Sequence, residues 1–165
     1  MRNIPIKWSA EHHRNLNYNF NDTKDPVQTQ YWANAGLPYN NLIVGIHQLL
    51  ELYPWMQYLC DYFDHLSGIS FCFHKMLPGY YLPAHQDSYN FYKKKHNITD
   101  LDQIERSVIF LEDGDHGHIL TVDDVAYYKW RTGDCVSWQG TTTHSAINVG
   151  TTDRYTLTVT GYISD

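Results

Sequence analysis

No stretch of this 165-residue chain is apolar for long enough to cross a bilayer, and the opening Met1-Arg2-Asn3-Ile4-Pro5-Ile6-Lys7 holds no apolar run of signal-peptide length. A membrane partner is therefore not expected, and the expected location is cytoplasmic. Cysteine is scarce as well. Cys60, Cys72 and Cys135 are an odd count without metal-type spacing, so neither a disulfide framework nor a zinc knuckle is indicated and reduced core thiols are expected. Asn97-Ile98-Thr99 fits a glycosylation sequon, which carries no meaning without secretion. Positive charge is in short supply: 12 Lys and Arg face 18 Asp and Glu, a net charge of −6. Nucleic acid is not expected as a partner, because neutralising phosphates takes clustered Lys and Arg. The one basic run, Lys93-Lys94-Lys95-His96, reads either as a solvated loop tip or as a lid near a site that meets an acidic substrate. Internal repeats and low-complexity tracts are missing too.

What is present is globular in character, with 42% hydrophobic and 18% charged residues in a length that suits one domain. Fourteen tyrosines suit a half-buried sheet surface or a groove that recognises a peptide or small polar ligand. Residues 1–40 are polar and irregular and read as loops and short strands wrapped over the domain, with turns at Asp25-Pro26 and Leu37-Pro38. Asn40 or Asn41 could cap a helix over 42–51 with Leu42, Ile43, Ile46, Leu49 and Leu50 on its apolar side. A second helix is expected from Pro54, with Trp55, Leu59, Phe63 and Leu66 as its core face and Gly68 as its stop. From residue 69 the period shortens, and strands are expected at 69–77, 80–85, 105–111, 117–123, 125–130, 134–138, 143–148 and 154–162. Many short strands with glycine turns between them indicate a sandwich or barrel, a mainly β fold.

Chemistry concentrates in His85-Gln86-Asp87, in His144 and in Arg154. Side chains alternate faces along a strand, so His85 and Asp87 are neighbours able to bind one ion. Two imidazoles and one carboxylate are the ligand set that holds a non-haem Fe(II) on one face and leaves the other open. An arginine at this offset offers a fixed positive charge to an acidic cosubstrate. His144 and Arg154 are expected to flank a hairpin with its turn at 149–153, their strands side by side and both side chains facing one cavity. The same alternation puts Arg154, Thr156, Thr158 and Thr160 on one side of the last strand and Tyr155, Leu157 and Val159 on the other. If the barrel holds a polar site, the threonine face is inside and the Tyr/Leu/Val face packs outward against the N-terminal helices.

At these residues, with Pro78-Gly79 six positions before His85 and Arg154-Tyr155-Thr156 opening the last strand, the chain resembles the Fe(II)/2-oxoglutarate-dependent oxygenases. The resemblance covers about residues 69–163 and implies a double-stranded β-helix, the jelly-roll or cupin-like barrel, with residues 1–68 as N-terminal loops and supporting helices outside it. It implies His85, Asp87 and His144 as metal ligands, with Fe(II), 2-oxoglutarate and O2 as cofactor and cosubstrates. Arg154, with Thr156, would hold the far carboxylate of 2-oxoglutarate. The implied activity is hydroxylation of an unactivated C–H bond with succinate and CO2 as co-products. Prolyl and aspartyl/asparaginyl hydroxylases are the most similar subfamilies, so a peptide, protein or amino-acid-like substrate is expected; the compact form is also similar to short phage-encoded oxygenases. Arg106 corresponds to an arginine of the aspartyl/asparaginyl group and is a rival or additional ligand for the cosubstrate. Tyr80, Tyr81, Tyr89 and Tyr92 are candidates for the substrate entrance, and Trp138 and Gln139 precede the distal histidine.

Two other readings remain open at this point. The chain could be a cupin-type metalloprotein that acts without 2-oxoglutarate, using His85, Asp87 and His144 or the His116/His118 pair; for His116-Gly117-His118, however, Asp123 and Phe110 stand where cupins usually carry glutamate and glycine, and a strand-leading turn is the preferred reading. Alternatively the histidines are incidental, and the tyrosines form the surface of a non-catalytic β-sandwich binding module.

Overall fold

The computed structural model describes residues 1–20, 26–37 and 44–164. Among these the strands are β1 (Arg2–Asn3), β2 (Gly45–Gln48), β3 (Ser67–Met76), β4 (Tyr81–His85), β5 (Ile104–Phe110), β6 (His118–Val122), β7 (Val125–Tyr127), β8 (Asp134–Gln139), β9 (His144–Asn148) and β10 (Arg154–Tyr162). Short helices are α1 (Glu11–Arg14), α2 (Pro26–Asn34), α3 (Gln57–Tyr62) and α4 (Asn90–His96). The strands form a six-stranded sheet in the order β1-β8-β5-β10-β3-β2 and a four-stranded sheet in the order β4-β9-β6-β7, with antiparallel pairing throughout. From β3 onwards the chain crosses between the two sheets, the winding of a double-stranded β-helix. β1 and β2 extend the edges of the larger sheet.

Alternation along β10 assigns its two faces. Tyr155, Leu157 and Val159 are buried outside the barrel with Met56, Leu59 and Phe63, and Phe71, Phe73 and Ile109 of neighbouring strands join them. A turn of 3-10 helix at Pro54–Met56 leads into α3, so the apolar period read from Pro54 does produce a helical element against the sheet. It ends at Tyr62, however, and Gly68 lies within β3 rather than stopping the helix. Between the sheets a smaller apolar group, Val108, Phe110, Val136 and Trp138 from one side and Leu120 and Val122 from the other, closes part of the interior. The rest is polar: Arg154, Thr156 and Thr158 point inward and are buried, as the threonine pattern requires.

The sequence and the fold part company in several places. The helix expected over 42–51 falls partly outside the described residues, and its later part is strand β2 paired with β3. Leu50, assigned to its apolar face, is 96% exposed. The β-branched Val44 and Ile46 suit an edge strand, and Gly45 is held so close to the Phe20 ring that a Cβ there would approach it to 2.6 Å. The irregular reading of residues 1–40 missed α2, and the expected loop tip at Lys93 is part of α4. The strand expected at 125–130 stops at Tyr127, with Lys129 at φ +61°.

β9 and β10 do not form the expected hairpin. They lie in different sheets, His144 on β9 opposite His85 and Arg154 on β10 opposite Met76. The link between them is pinned across the barrel: Asn148 donates to the Met76 and Thr152 carbonyls, and a Cβ at Gly150 would run into the His116 carbonyl.

Candidate metal centre and anion pocket

His85 ends β4 and His144 begins β9, and the two are direct cross-strand partners with ring centroids 4.4 Å apart. The ladder is irregular just before His85, where Pro83 cannot donate, and Pro83 gives its carbonyl to His85 Nδ1 at 2.7 Å. His144 Nδ1 is likewise 3.2 Å from the Thr142 carbonyl. A carbonyl only accepts, so both Nδ1 atoms carry a proton, which leaves Nε2 of each ring as the atom turned to the cluster. Asp87 closes the group, with carboxylate oxygens 3.6 Å from each Nε2. One ligand atom from each of the three residues lies within 4.8 Å of the others. Such a donor set fits one divalent ion bound from a single side.

Burial and neighbouring charges shift two members of this cluster away from their ordinary titration ranges. Burial lowers the His144 pKa to about 4, with Arg106 and His85 adding to the effect against Asp87, so the imidazole is neutral at pH 7. Burial alone would raise Asp87, but the Arg106 guanidinium 2.6 Å away and the two histidines outweigh it and hold the carboxyl well below the usual range. Arg106 is thus bonded to the metal-site carboxylate, which distinguishes it from a free anion ligand. Tyr89 stacks near it, the guanidinium carbon 5.9 Å from the ring centre.

Arg154 behaves differently. It is buried, donates to the Ile119 carbonyl at 3.2 Å, and stands 5.1 Å from the centre of the Trp130 ring. Its Nε is buried without a partner, and no carboxylate among the described residues pairs with it. Burial pulls its pKa down to about 10. An unneutralised buried charge costs several kcal/mol, and no acidic group among the described residues offsets it. Thr156 is the next inward residue of β10, and opposite it on β3 stands His74, whose Nε2 lies 3.3 Å from Thr158 Oγ1. Burial, reinforced by Arg106 and Arg154, lowers the His74 pKa to about 3, so it serves as a neutral hydrogen-bonding group.

The sequence passed over His74, which looks like one more strand residue, and also Trp32. The latter, from α2, is buried edge-on against His85 at 5.6 Å between ring centroids. A helix in a segment read as irregular gave no signal for that contact. Trp138 packs 4.9 Å from His144, whereas Gln139 is exposed. Of the four tyrosines, Tyr89 lies beside Arg106 and Tyr92 anchors α4 by donating to the Gly68 carbonyl. Tyr80 and Tyr81 are half-buried at the start of β4. The His116/His118 alternative does not assemble a site: His118 Nδ1 accepts from the Asp115 amide, its Nε2 donates to the Thr152 carbonyl, and neither residue joins a metal-type cluster among the described residues.

A prolyl-4-hydroxylase from Pseudomonas putida has a similar fold, with a TM-score of 0.57 at 15% identity over 84% of this chain and 83% of that one. The cupin domain of Schizosaccharomyces pombe Cnp3 overlaps less well, with a TM-score of 0.46 at 10% identity over 72% of this chain; the match spans 64% of that chain, under two thirds of its length. No curated protein sequence matches the chain. The sequence model of the aspartyl/asparaginyl β-hydroxylases matches residues 7–162, nearly the whole length, N-terminal segment included. The chain belongs to the aspartyl/asparaginyl β-hydroxylase family.

Proposed function

We propose that this chain is an Fe(II)- and 2-oxoglutarate-dependent dioxygenase that hydroxylates an unactivated C–H bond of an amino-acid residue. The observation that carries the reading is the company of two features inside one barrel: a two-histidine, one-carboxylate cluster and a buried guanidinium with no acidic partner among the described residues. Ferrous ion with 2-oxoglutarate and O2, when bound, supplies the oxidising power: the cosubstrate is decarboxylated to succinate and CO2 with one oxygen atom, and the other enters the substrate C–H bond.

The protein's own part is ligation, orientation and exclusion of water. His85 and His144 offer Nε2 as the ligand atom because backbone carbonyls occupy their Nδ1 protons. Asp87 supplies the anionic ligand, and Arg106 fixes its orientation from behind. Arg154 offers two parallel N–H donors to the far carboxylate of the cosubstrate, which a lysine could not match in geometry. Thr156 stands on the same face to add a hydroxyl donor, with neutral His74 beside it. Arg106, already bonded to Asp87, is the lesser candidate for the cosubstrate.

Incubation with Fe(II), 2-oxoglutarate, O2 and candidate peptides tests the proposal. Succinate should form with the native chain and be lost in His85→Ala and Asp87→Ala, and the substrate should gain the mass of one oxygen. Turnover of substrate without 2-oxoglutarate would instead favour a cupin-type metalloprotein.

A further inference from the structure

The basic run Lys93-Lys94-Lys95 is not a loop but the body of α4, and α4 begins three residues after the ligand-type carboxylate Asp87. Its inner side is fixed. Tyr89, its capping residue, is buried beside Arg106; Tyr92 donates to the Gly68 carbonyl at 2.9 Å; and His96 packs between Tyr92 and Tyr162. Its outer side is bare. Phe91 is 82% exposed, and Lys94 and Lys95 are exposed at the i+3 and i+4 positions, which share its helix face. No carboxylate among the described residues lies within ion-pair distance of these lysines.

We propose that the outer face of α4 is a docking surface for an acidic segment of the peptide substrate, with Phe91 receiving an apolar side chain and Lys94 and Lys95 its carboxylates. This rests on the hydroxylase reading above and makes the substrate peptidyl rather than a free amino acid. Charge complementarity selects the partner: three adjacent lysines stand out on a chain whose net charge is −6. The basic run is short, three lysines with exposed Asp100 and Asp102 a few residues further along the chain, so it matches a few negative charges rather than the lattice of phosphates on a nucleic acid or a bilayer. Distance fits as well. Phe91 is four positions on from Asp87, at most about 14 Å of chain. An extended peptide advances about 3.3 Å per residue. Acidic residues some three to six positions from the residue at the metal centre therefore reach the lysines.

The test uses the full chain with Fe(II) and 2-oxoglutarate under anaerobic conditions, and dye-labelled, capped peptides with a central asparagine flanked by acidic, neutral or basic residues. Fluorescence anisotropy should show the acidic peptide binding about tenfold more tightly than the neutral one, the size expected of two or three exposed ion pairs, with the gap closing as salt is added. Lys94→Glu/Lys95→Glu should invert the order in favour of the basic peptide, and Phe91→Ser should weaken the acidic peptide without changing the order. Equal affinities, or a preference that survives charge reversal, overturn the proposal. So does lysine-dependent binding to phosphatidylserine vesicles with no discrimination among peptides. The visible band formed by Fe(II) with 2-oxoglutarate is recorded on the same samples. Its absence, with the acidic preference intact, sinks the hydroxylase reading and not the docking face.

Discussion

Arg154 separates a functional from a structural account at the scale of one residue. If its guanidinium merely braced the barrel, replacing it would cost the 3–5 kcal/mol typical of a broken buried ion pair, but it has no acidic partner to lose among the described residues. Arg154→Met should leave the thermal midpoint of the ligand-free chain unchanged or raised, while the 2-oxoglutarate requirement rises by about 10- to 100-fold, the worth of a charge-assisted bond. Differential scanning fluorimetry and a succinate assay read the two effects separately. The buried histidines supply a second prediction. His74 and His144 have folded pKa values of about 3 and about 4, below the ordinary value of 6.5. Between those limits the unfolded chain binds more protons than the folded one, so stability falls as pH drops below about 6.5. Each should cost the ligand-free protein about 2 kcal/mol on going from pH 8 to pH 5. His74→Gln should remove about one proton from the slope of unfolding free energy against pH, which urea melts at several pH values measure.

At the scale of elements, β10 divides the labour: Leu157 belongs to the outer core, and the next inward residues belong to the pocket. Leu157→Ala should destabilise the fold by about 2–5 kcal/mol, as cavity-forming core changes do, with affinity for metal and 2-oxoglutarate nearly intact in the folded fraction. Chemical denaturation and a binding titration on the same preparation check this. Period-2 alternation separated the two faces, and the expectation of a polar site said which one is inside; the eight core strands were readable from the shortened period, with glycine in or beside several of the turns between them. The hairpin expected between β9 and β10 was wrong for a reason the linear order hides. A five-residue link is short enough for a hairpin, yet Asn148 and the close approach of Gly150 to the His116 turn carry it across to the other sheet. His85 and Asp87 were legible from their two-residue spacing, although β4 ends at His85 and Asp87 follows just beyond it rather than on the strand. Trp32 and His74 were not, since their roles arise from contacts with distant strands that no local pattern records. The apolar residues around Ile46 fitted a helical stripe equally well, and pairing with β3 decided for strand.

For the whole molecule, the arrangement couples metal binding to the fold. Of the three ligand-type side chains, His85 and His144 stand on β4 and β9 of one sheet and Asp87 just past β4; Arg106 and Arg154 come from β5 and β10 of the other sheet, and Trp32 from α2 outside the barrel. A ligand that engages all of these binds the folded chain and not the unfolded one. At a metal concentration of about 100 times its Kd the gain is about 2.7 kcal/mol, or roughly 5–10 °C in Tm for a chain of this length. The most direct test of the central claim is an anaerobic titration of the chain with Fe(II) followed by 2-oxoglutarate, watched in the visible. One equivalent of each should raise a charge-transfer band that His85→Ala and Asp87→Ala abolish and that Arg154→Met restores only at much higher 2-oxoglutarate. Stoichiometric metal binding that ignores 2-oxoglutarate, or no stoichiometric metal binding, would contradict the account.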